Sequence, residues 1–396
     1  MSGKITYIDE AEIKNKRILL RVDFDVALNE NYTIANDIRI TQKLPTIKLL
    51  LKNHNKIICV SKLGRPKGRD PKLSLKVVAE RLREYLPDIK IRLIDDFLTE
   101  KKETFENQKE NEILILENIR FYPEEKRNDH EFTKKLASLA DVYVNDAFAM
   151  CHRVEASVVG VPTLLLAFGG LSLKEEVTSI EDAIKNPLHP LVTIIGGAKI
   201  STKITLINKL IEKADHVILG GGLANAFFRA KRYSIGKSIC EYEMVQKARQ
   251  LLFLAEQKKT EIILPTDALI GDPENKEKNG QIVKIGEKIP SDMSILDIGP
   301  ETKARYGAMI ARAKTIIWNG PVGLFENPSY RQGTDFIYYA IAHNPDATSI
   351  VGGGDTLAAI SHKKYLENIT HVSTGGGAML ELIEKGTLPA LEALKH

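Results

Sequence analysis

The sequence predicts an α/β protein built on mostly parallel, helix-covered sheets and divided into two domains. Short apolar runs alternate with amphipathic helical stretches along nearly the whole chain. Five such runs in the second half end in glycine-rich turns. A chain of 396 residues is also long for one core.

The first series opens with the strand-forming run 17–24 and continues at Lys56–Ser61, Ile91–Ile94, Ile113–Leu116 and Val142–Asn145. Helical stretches fall between them, among them Ile40–Lys52 and Leu75–Leu86. This unit, residues 1–170, ends in the Gly160–Gly170 region, and Leu171–Ile184 reads as a connecting helix. The second unit, 171–387, starts its strands at Leu191. No low-complexity tract or long internal repeat interrupts the chain.

Composition narrows the function. A hydrophobic content of 43% and a charged content of 27% are ordinary for a globular protein. A net charge of +4 is too mild to imply nucleic acid by itself. There is no apolar stretch of membrane-spanning length, and the first twenty residues lack a signal-peptide pattern. Cys59, Cys151 and Cys240 are far apart and outside any zinc-type spacing, so they read as reduced thiols. The expectation is a cytoplasmic protein with neither a membrane nor a nucleic-acid partner.

The strand ends carry the chemistry. In the second half they are Gly196-Gly197-Ala198-Lys199, Gly220-Gly221-Gly222, Asn319-Gly320-Pro321-Val322-Gly323, Gly352-Gly353-Gly354-Asp355-Thr356 and Gly375-Gly376-Gly377. Open parallel sheets bind ligands at the carboxyl ends of their strands, and glycine lets backbone approach a ligand closely. The N–H groups of a following helix favour an anion, and Asp355 stands where a carboxylate can hold a metal against phosphate. Five converging ends point to a nucleotide or phosphate site. In the first half the ends carry charge instead: Arg21 and Asp23, Arg39, Lys62 to Arg69, Arg120, and His152-Arg153. Guanidinium groups suit bidentate recognition of carboxylate and phosphate, so a small polyanion is expected there.

Six motifs, in order and over essentially the whole chain, carry a family resemblance. They are Arg21-Val22-Asp23-Phe24, Leu63-Gly64-Arg65-Pro66-Lys67-Gly68, Gly196-Gly197-Ala198-Lys199, Trp318-Asn319-Gly320-Pro321-Val322-Gly323, Gly352-Gly353-Gly354-Asp355-Thr356 and Ser373-Thr374-Gly375-Gly376-Gly377-Ala378. The chain resembles the phosphoglycerate kinases. The resemblance implies two doubly wound, Rossmann-like domains joined by a helical hinge, with the tail 388–396 packing back on the first. It implies a monomer and reversible phosphoryl transfer between 1,3-bisphosphoglycerate with ADP and 3-phosphoglycerate with ATP, using Mg²⁺ and closure of one domain on the other.

Residue by residue, the resemblance implies that Asp23, Phe24, Asp25, Arg39, Lys62, Leu63, Gly64, Arg65, Arg120 and Arg153 bind phosphoglycerate. Lys203, Glu326, Gly353, Gly354, Asp355 and Thr356 would bind nucleotide, with Glu326 on the ribose and Asp355 also on the metal. Arg39, Lys199 and Lys203 would be catalytic. This chemistry needs no general base, because the acceptor carboxylate is already ionised at neutral pH. It needs alignment and charge neutralisation, which arginine, lysine and helix N-termini supply.

Four positions depart from the family pattern: Asp25 where asparagine is usual, Ala27 for proline, Lys62 for histidine and Glu155 for a second histidine. Asp25 and Lys62 cancel in formal charge and are expected to form a compensating pair. Lys199 and Lys203 are expected on one face of a helical start, His152 as structural and Trp318 in the core. Among rivals, a dinucleotide-binding oxidoreductase lacks the third fingerprint glycine, since Asn225 stands there. A P-loop kinase lacks the GxxxxGK[ST] spacing. A third rival is an idle nucleotide-binding scaffold of the same fold.

Overall fold

The computed structural model describes residues 3–273, 280–360 and 363–395. The chain divides into two compact units, Met1–Thr178 with Thr387–His396, and Ser179–Gly386. The helix Leu171–Lys185 crosses the sequence boundary between them.

The first unit is built on six parallel strands. Their order across the sheet is Lys90–Ile94, Glu112–Leu116, Lys56–Val60, Arg17–Val22, Val142–Asp146, Leu166–Gly169. From Arg17–Val22 the chain moves to Lys56–Val60, then to the edge at Lys90–Ile94, fills the gap with Glu112–Leu116, and returns to the other side of Arg17–Val22 at Val142. That reversal opens a crevice at the carboxyl ends of the central strands. Glu112–Leu116 and Val142–Asp146 are buried throughout because helices cover both faces. Ile18, Leu20, Ile57, Ile115 and Val144 pack with Ile47, Leu50, Val78 and Leu82 from the covering helices.

The expected helix Ile40–Lys52 is in fact two, Ile38–Thr41 and Leu44–Lys52. Pro45 lies in the first turn of the second, where its missing N–H costs nothing but an uninterrupted helix would be clashing. Residues 387–395 belong to this unit. Leu388, Leu391 and Leu394 are buried, Ala390 N donates to Cys151 O at 3.1 Å, and Lys395 bridges to Ile5.

The second unit is again doubly wound, but its first three strands follow one another outward with none inserted between them. Its six parallel strands run Glu261–Ile263, His216–Leu219, Leu191–Ile195, Thr315–Asn319, Thr348–Gly352, His371–Ser373. Here the reversal falls between Leu191–Ile195 and Thr315–Asn319. Trp318 is fully buried in this unit's core beside Val192 and Ile316. A three-stranded antiparallel sheet, Gln281–Lys284, Asp267–Gly271 and Ser294–Ile298, is added to it. Cys59 and Cys151 are buried free thiols, and burial pushes both up to about 12. No helix among the described residues is long and apolar enough to cross a membrane.

Candidate active site

In the first unit four neighbouring strand ends bring their charged residues to one edge of the sheet. Asp23 follows Arg17–Val22 and is buried. Burial raises its pKa, but Arg39, Lys62, Lys43 and Arg21 outweigh that and hold the carboxyl below its ordinary value. Arg39 forms an ion pair with it. The next strand end, after Lys56–Val60, carries Lys62, whose ammonium pairs with Asp25. The other Asp25 oxygen accepts the Gly64 N–H at 2.7 Å. The expected Asp25–Lys62 pair therefore exists, and it also ties together two adjacent strand ends. Gly64 sits at φ +65, so only glycine takes this turn without strain.

Phe24 and Leu63 are buried, so what they can offer a ligand is backbone. Their amides are already used: Phe24 N donates to Ser61 Oγ at 2.9 Å and Leu63 N to Asn118 Oδ1 at 3.2 Å. These two residues shape the site from behind. Arg65 and Arg153 are exposed. Arg120 is bound to Glu155. Arg21 is buried and reaches inward, donating from Nε to Ser157 Oγ at 2.8 Å.

In the second unit the glycine-rich ends interlock at the topological reversal. Gly196 N donates to Asn319 O at 2.9 Å and Gly197 N to Pro321 O at 2.8 Å. A Cβ on Gly196 would lie 2.1 Å from Pro321 O, so this crossing requires glycine. Gly354 differs, because a Cβ there would meet open space. It faces a cavity of about 340 Å³ lined by Gly197, Lys199, Lys203, Gly354, Asp355 and Gly376, among others. A second cavity of about 240 Å³ shares Gly197, Ala198 and Asp355 with it, and is walled by Phe228, Ile239, Leu296, Pro321 and Val322. Glu326 stands exposed on its lining. An apolar chamber beside a glycine cradle suits an aromatic base joined to a phosphate chain.

Lys199 and Lys203 differ from expectation in local structure. They occupy the turn before the helix Ile204–Ile211, not its first turn. Glu241 holds that turn by accepting from Ser201 N at 2.9 Å and Ser201 Oγ at 2.5 Å. Lys203 is half-buried, and burial lowers its pKa to about 8 against the opposing pull of Asp355 and Glu384. Thr356 is turned inward and fully buried. Its hydroxyl donates to Gly352 O at 3.0 Å and accepts from Gly320 N at 2.7 Å, so the side chain braces the turn. Asp355 is exposed and is the one carboxylate among the described residues that lines the glycine cradle.

Three residues were given no role by the sequence reading, although Asn319 stands in one of its motifs. Asn319 donates from Nδ2 to Gly352 O at 2.7 Å and joins two strand ends. Lys43 is buried and donates to Ser172 Oγ. Asp297 lines the apolar chamber, where burial pushes it up to about 7 although the Gly333 and Ile298 amides oppose this. An acid set within the short run Ser294–Ile298, between Leu296 and Ile298, was the available signal for Asp297.

Comparison with known proteins decides the family. A sequence model described as phosphoglycerate kinase matches residues 8–386. This chain belongs to the phosphoglycerate kinase family. It is 44% identical over 395 residues to a phosphoglycerate kinase of Dictyoglomus turgidum, covering 99% of each chain. It is 41% identical over 391 residues to a cytosolic phosphoglycerate kinase of Nicotiana tabacum, covering 98% of this chain and 97% of the other. Among solved structures, the phosphoglycerate kinase of Coxiella burnetii superposes with a TM-score of 0.88 at 38% identity, covering 98% of both chains. That of Pyrococcus horikoshii OT3 gives 0.84 at 30% identity, again with 98% of each covered. The chain is thus a kinase of the two-domain α/β type, with ATP and ADP as co-substrates of its family, and the idle-scaffold rival finds no support.

Proposed function

We propose that this kinase transfers a phosphoryl group reversibly between 1,3-bisphosphoglycerate and ADP, giving 3-phosphoglycerate and ATP. The observation that supports the reading best is the contrast between two sheet edges. One gathers Arg39, Lys62, Arg65, Arg120 and Arg153 over strand ends, and the other offers a glycine cradle beside an apolar chamber.

In this reading the first unit binds phosphoglycerate, with Arg65 and Arg153 as exposed anion contacts and Arg39 held ready by Asp23. The second unit takes the base in its apolar chamber, the ribose near Glu326 and the phosphates over Gly353, Gly354, Lys199 and Lys203. The acceptor carboxylate attacks without a base, so the protein's work is alignment and charge neutralisation by Arg39, Lys199 and Lys203. Phosphates that bind Lys203 also favour its charged form.

The residues present fit Mg²⁺. Among the described residues no cluster of three or more His, Cys, Asp or Glu could form a dedicated cage, whereas Mg²⁺ commonly binds through one carboxylate plus substrate phosphates. Asp355 would hold it, and the ion would neutralise phosphate charge. The protein would act as a cytoplasmic monomer without nucleic-acid or membrane partners.

A coupled assay tests the reading, following ATP-dependent turnover of 3-phosphoglycerate. No turnover with this pair, while another carboxylic or phosphorylated acceptor is used, would refute it.

A further inference from the structure

Arg120 does not present an open guanidinium to the crevice. Its Nη2 donates to both oxygens of Glu155, at 2.6 and 2.9 Å. The two side chains are only 11% and 7% exposed, so water competes little for this pair. A guanidinium offers an oxyanion two planar forks, one through Nε and Nη2 and one through Nη1 and Nη2. Nη2 belongs to both forks. With it engaged, Nη1 remains for a single-point contact, and Nε is buried without a partner.

Glu155 is also poorly placed to swing away. It immediately precedes the helical turn Ala156–Gly160, and its carbonyl accepts from Val158 N at 3.0 Å and Val159 N at 2.8 Å. Ser157, two residues on, is fixed from both sides. Glu125 accepts from its N and Oγ at 2.9 and 2.6 Å, and Arg21 Nε donates to its Oγ at 2.8 Å. The carboxylate therefore rides on a braced segment, and Arg120 is held by something rigid. Arg65 and Arg153 are exposed and form no ion pair with a carboxylate among the described residues.

We propose that Glu155 sets the anion specificity of the first unit's site by denying Arg120 a bidentate grip. A lone tetrahedral oxyanion such as sulfate or phosphate gains only one contact from Arg120 and is held weakly. A ligand long enough to carry phosphate at one end and carboxylate at the other collects contacts from Arg39, Arg65 and Arg153 as well, and is favoured. Glu155 acts through Arg120 and is a positioning residue. The inference rests on the reading of this edge as the phosphoglycerate site.

The test is Glu155→Gln, which keeps the shape and removes the charge. Calorimetry without nucleotide measures sulfate and 3-phosphoglycerate separately, and melting temperature monitors the fold. A charge-assisted hydrogen bond replaced by a neutral one frees Nη2, so sulfate affinity should rise about tenfold, and 3-phosphoglycerate affinity by clearly less. KM for phosphoglycerate should fall by more than kcat changes. Glu155→Asp retains the charge and should keep sulfate weak. Arg120→Lys gives an independent measurement should Glu155→Gln not fold: lysine has no fork to lose, so phosphoglycerate affinity should drop by less than about tenfold. Sulfate affinity unchanged or lowered in folded Glu155→Gln, or a larger loss in Arg120→Lys, would overturn the proposal. Failure of the unaltered chain to bind 3-phosphoglycerate would instead overturn the reading of the site, which the sulfate measurement does not depend on.

Discussion

Replacing Lys62 by histidine removes the ammonium that pairs with Asp25 and leaves that carboxylate with the Gly64 amide alone. The side chains are 12% and 27% exposed, so the pair is neither solvated nor dry. Exposed pairs contribute up to about 1 kcal/mol, while breaking a fully buried one costs about 3–5 kcal/mol. Intermediate burial places this pair at roughly 1–2 kcal/mol. Asp23 sharpens the effect, because Lys62 is among the cations that keep its buried carboxyl ionised. Without Lys62 a trianionic ligand meets two under-compensated carboxylates.

Binding of 3-phosphoglycerate to Lys62→His, measured calorimetrically, should therefore weaken by roughly 5–30-fold. The loss should be largest near pH 8, where an ordinary histidine is neutral, and smaller near pH 6, where much of it is charged. Adding Asp25→Asn removes the uncompensated charge and should recover much of the affinity. The double-mutant cycle should return a coupling of roughly 1–2 kcal/mol. Strictly additive effects of the two substitutions would refute the reasoning, as would a Lys62→His defect that ignores pH.

Arg39→Ala should lower kcat by roughly a hundredfold or more and raise KM for phosphoglycerate far less, since the charge it meets develops during transfer. Steady-state kinetics checks this, and a change confined to KM would make Arg39 a binding residue only. Asp355→Asn should cut turnover by a similar factor with the melting temperature retained, and near-normal activity at saturating Mg²⁺ would remove the metal role. Lys203, lowered from 10.5 to about 8, is mostly neutral at pH 8.5, so ATP binding there should draw in about 0.7 proton and at pH 6.5 almost none. Calorimetry in two buffers of different ionisation enthalpy measures that uptake, and Lys203→Met should abolish it. The sign for folding is fixed by the same shift. The native chain binds fewer protons than the unfolded one between about pH 8 and 10.5, so this group's contribution to stability rises with pH across that window.

The central strands were legible because parallel strands buried on both faces must be continuous apolar runs, as in Ile113–Leu116 and Leu191–Ile195. Ile91–Ile94 was legible even at a sheet edge, but two more exposed strands were not. Leu166–Gly169 begins on an exposed leucine, and Gln281–Lys284 is mostly exposed and only half apolar, so neither shows the pattern that burial imposes. Motif residues at the strand ends were legible one by one, since glycine and arginine announce their chemistry locally. Their inward partners were not, because those depend on which strands lie side by side. Thr356 braces Gly320, and Glu155 reaches Arg120 across 35 positions of sequence. The direction of Thr356 and the turn at Lys199 to Lys203 were lost for the same reason, each being fixed by a neighbour distant in the chain, Gly320 for the one and Glu241 for the other.

Those hidden partners follow one rule in the first unit. Arg39, Lys62 and Arg120 each stand on a different segment, and each is met by its own carboxylate, Asp23, Asp25 and Glu155. An empty site that gathers several cations repels itself, and its long side chains are free to scatter. Three internal carboxylates remove the repulsion and hold the cations near the positions a ligand needs. The arrangement has a cost on binding, because an arriving polyanion meets three fixed negative charges and must share each cation with one of them. It follows that affinity in this site is governed by differences between an internal and an external carboxylate or phosphate, each small compared with the pairs themselves. Substitutions that neutralise an acid here should then strengthen anion binding while loosening the empty site, and those that neutralise a cation should do the reverse to binding at little gain in order.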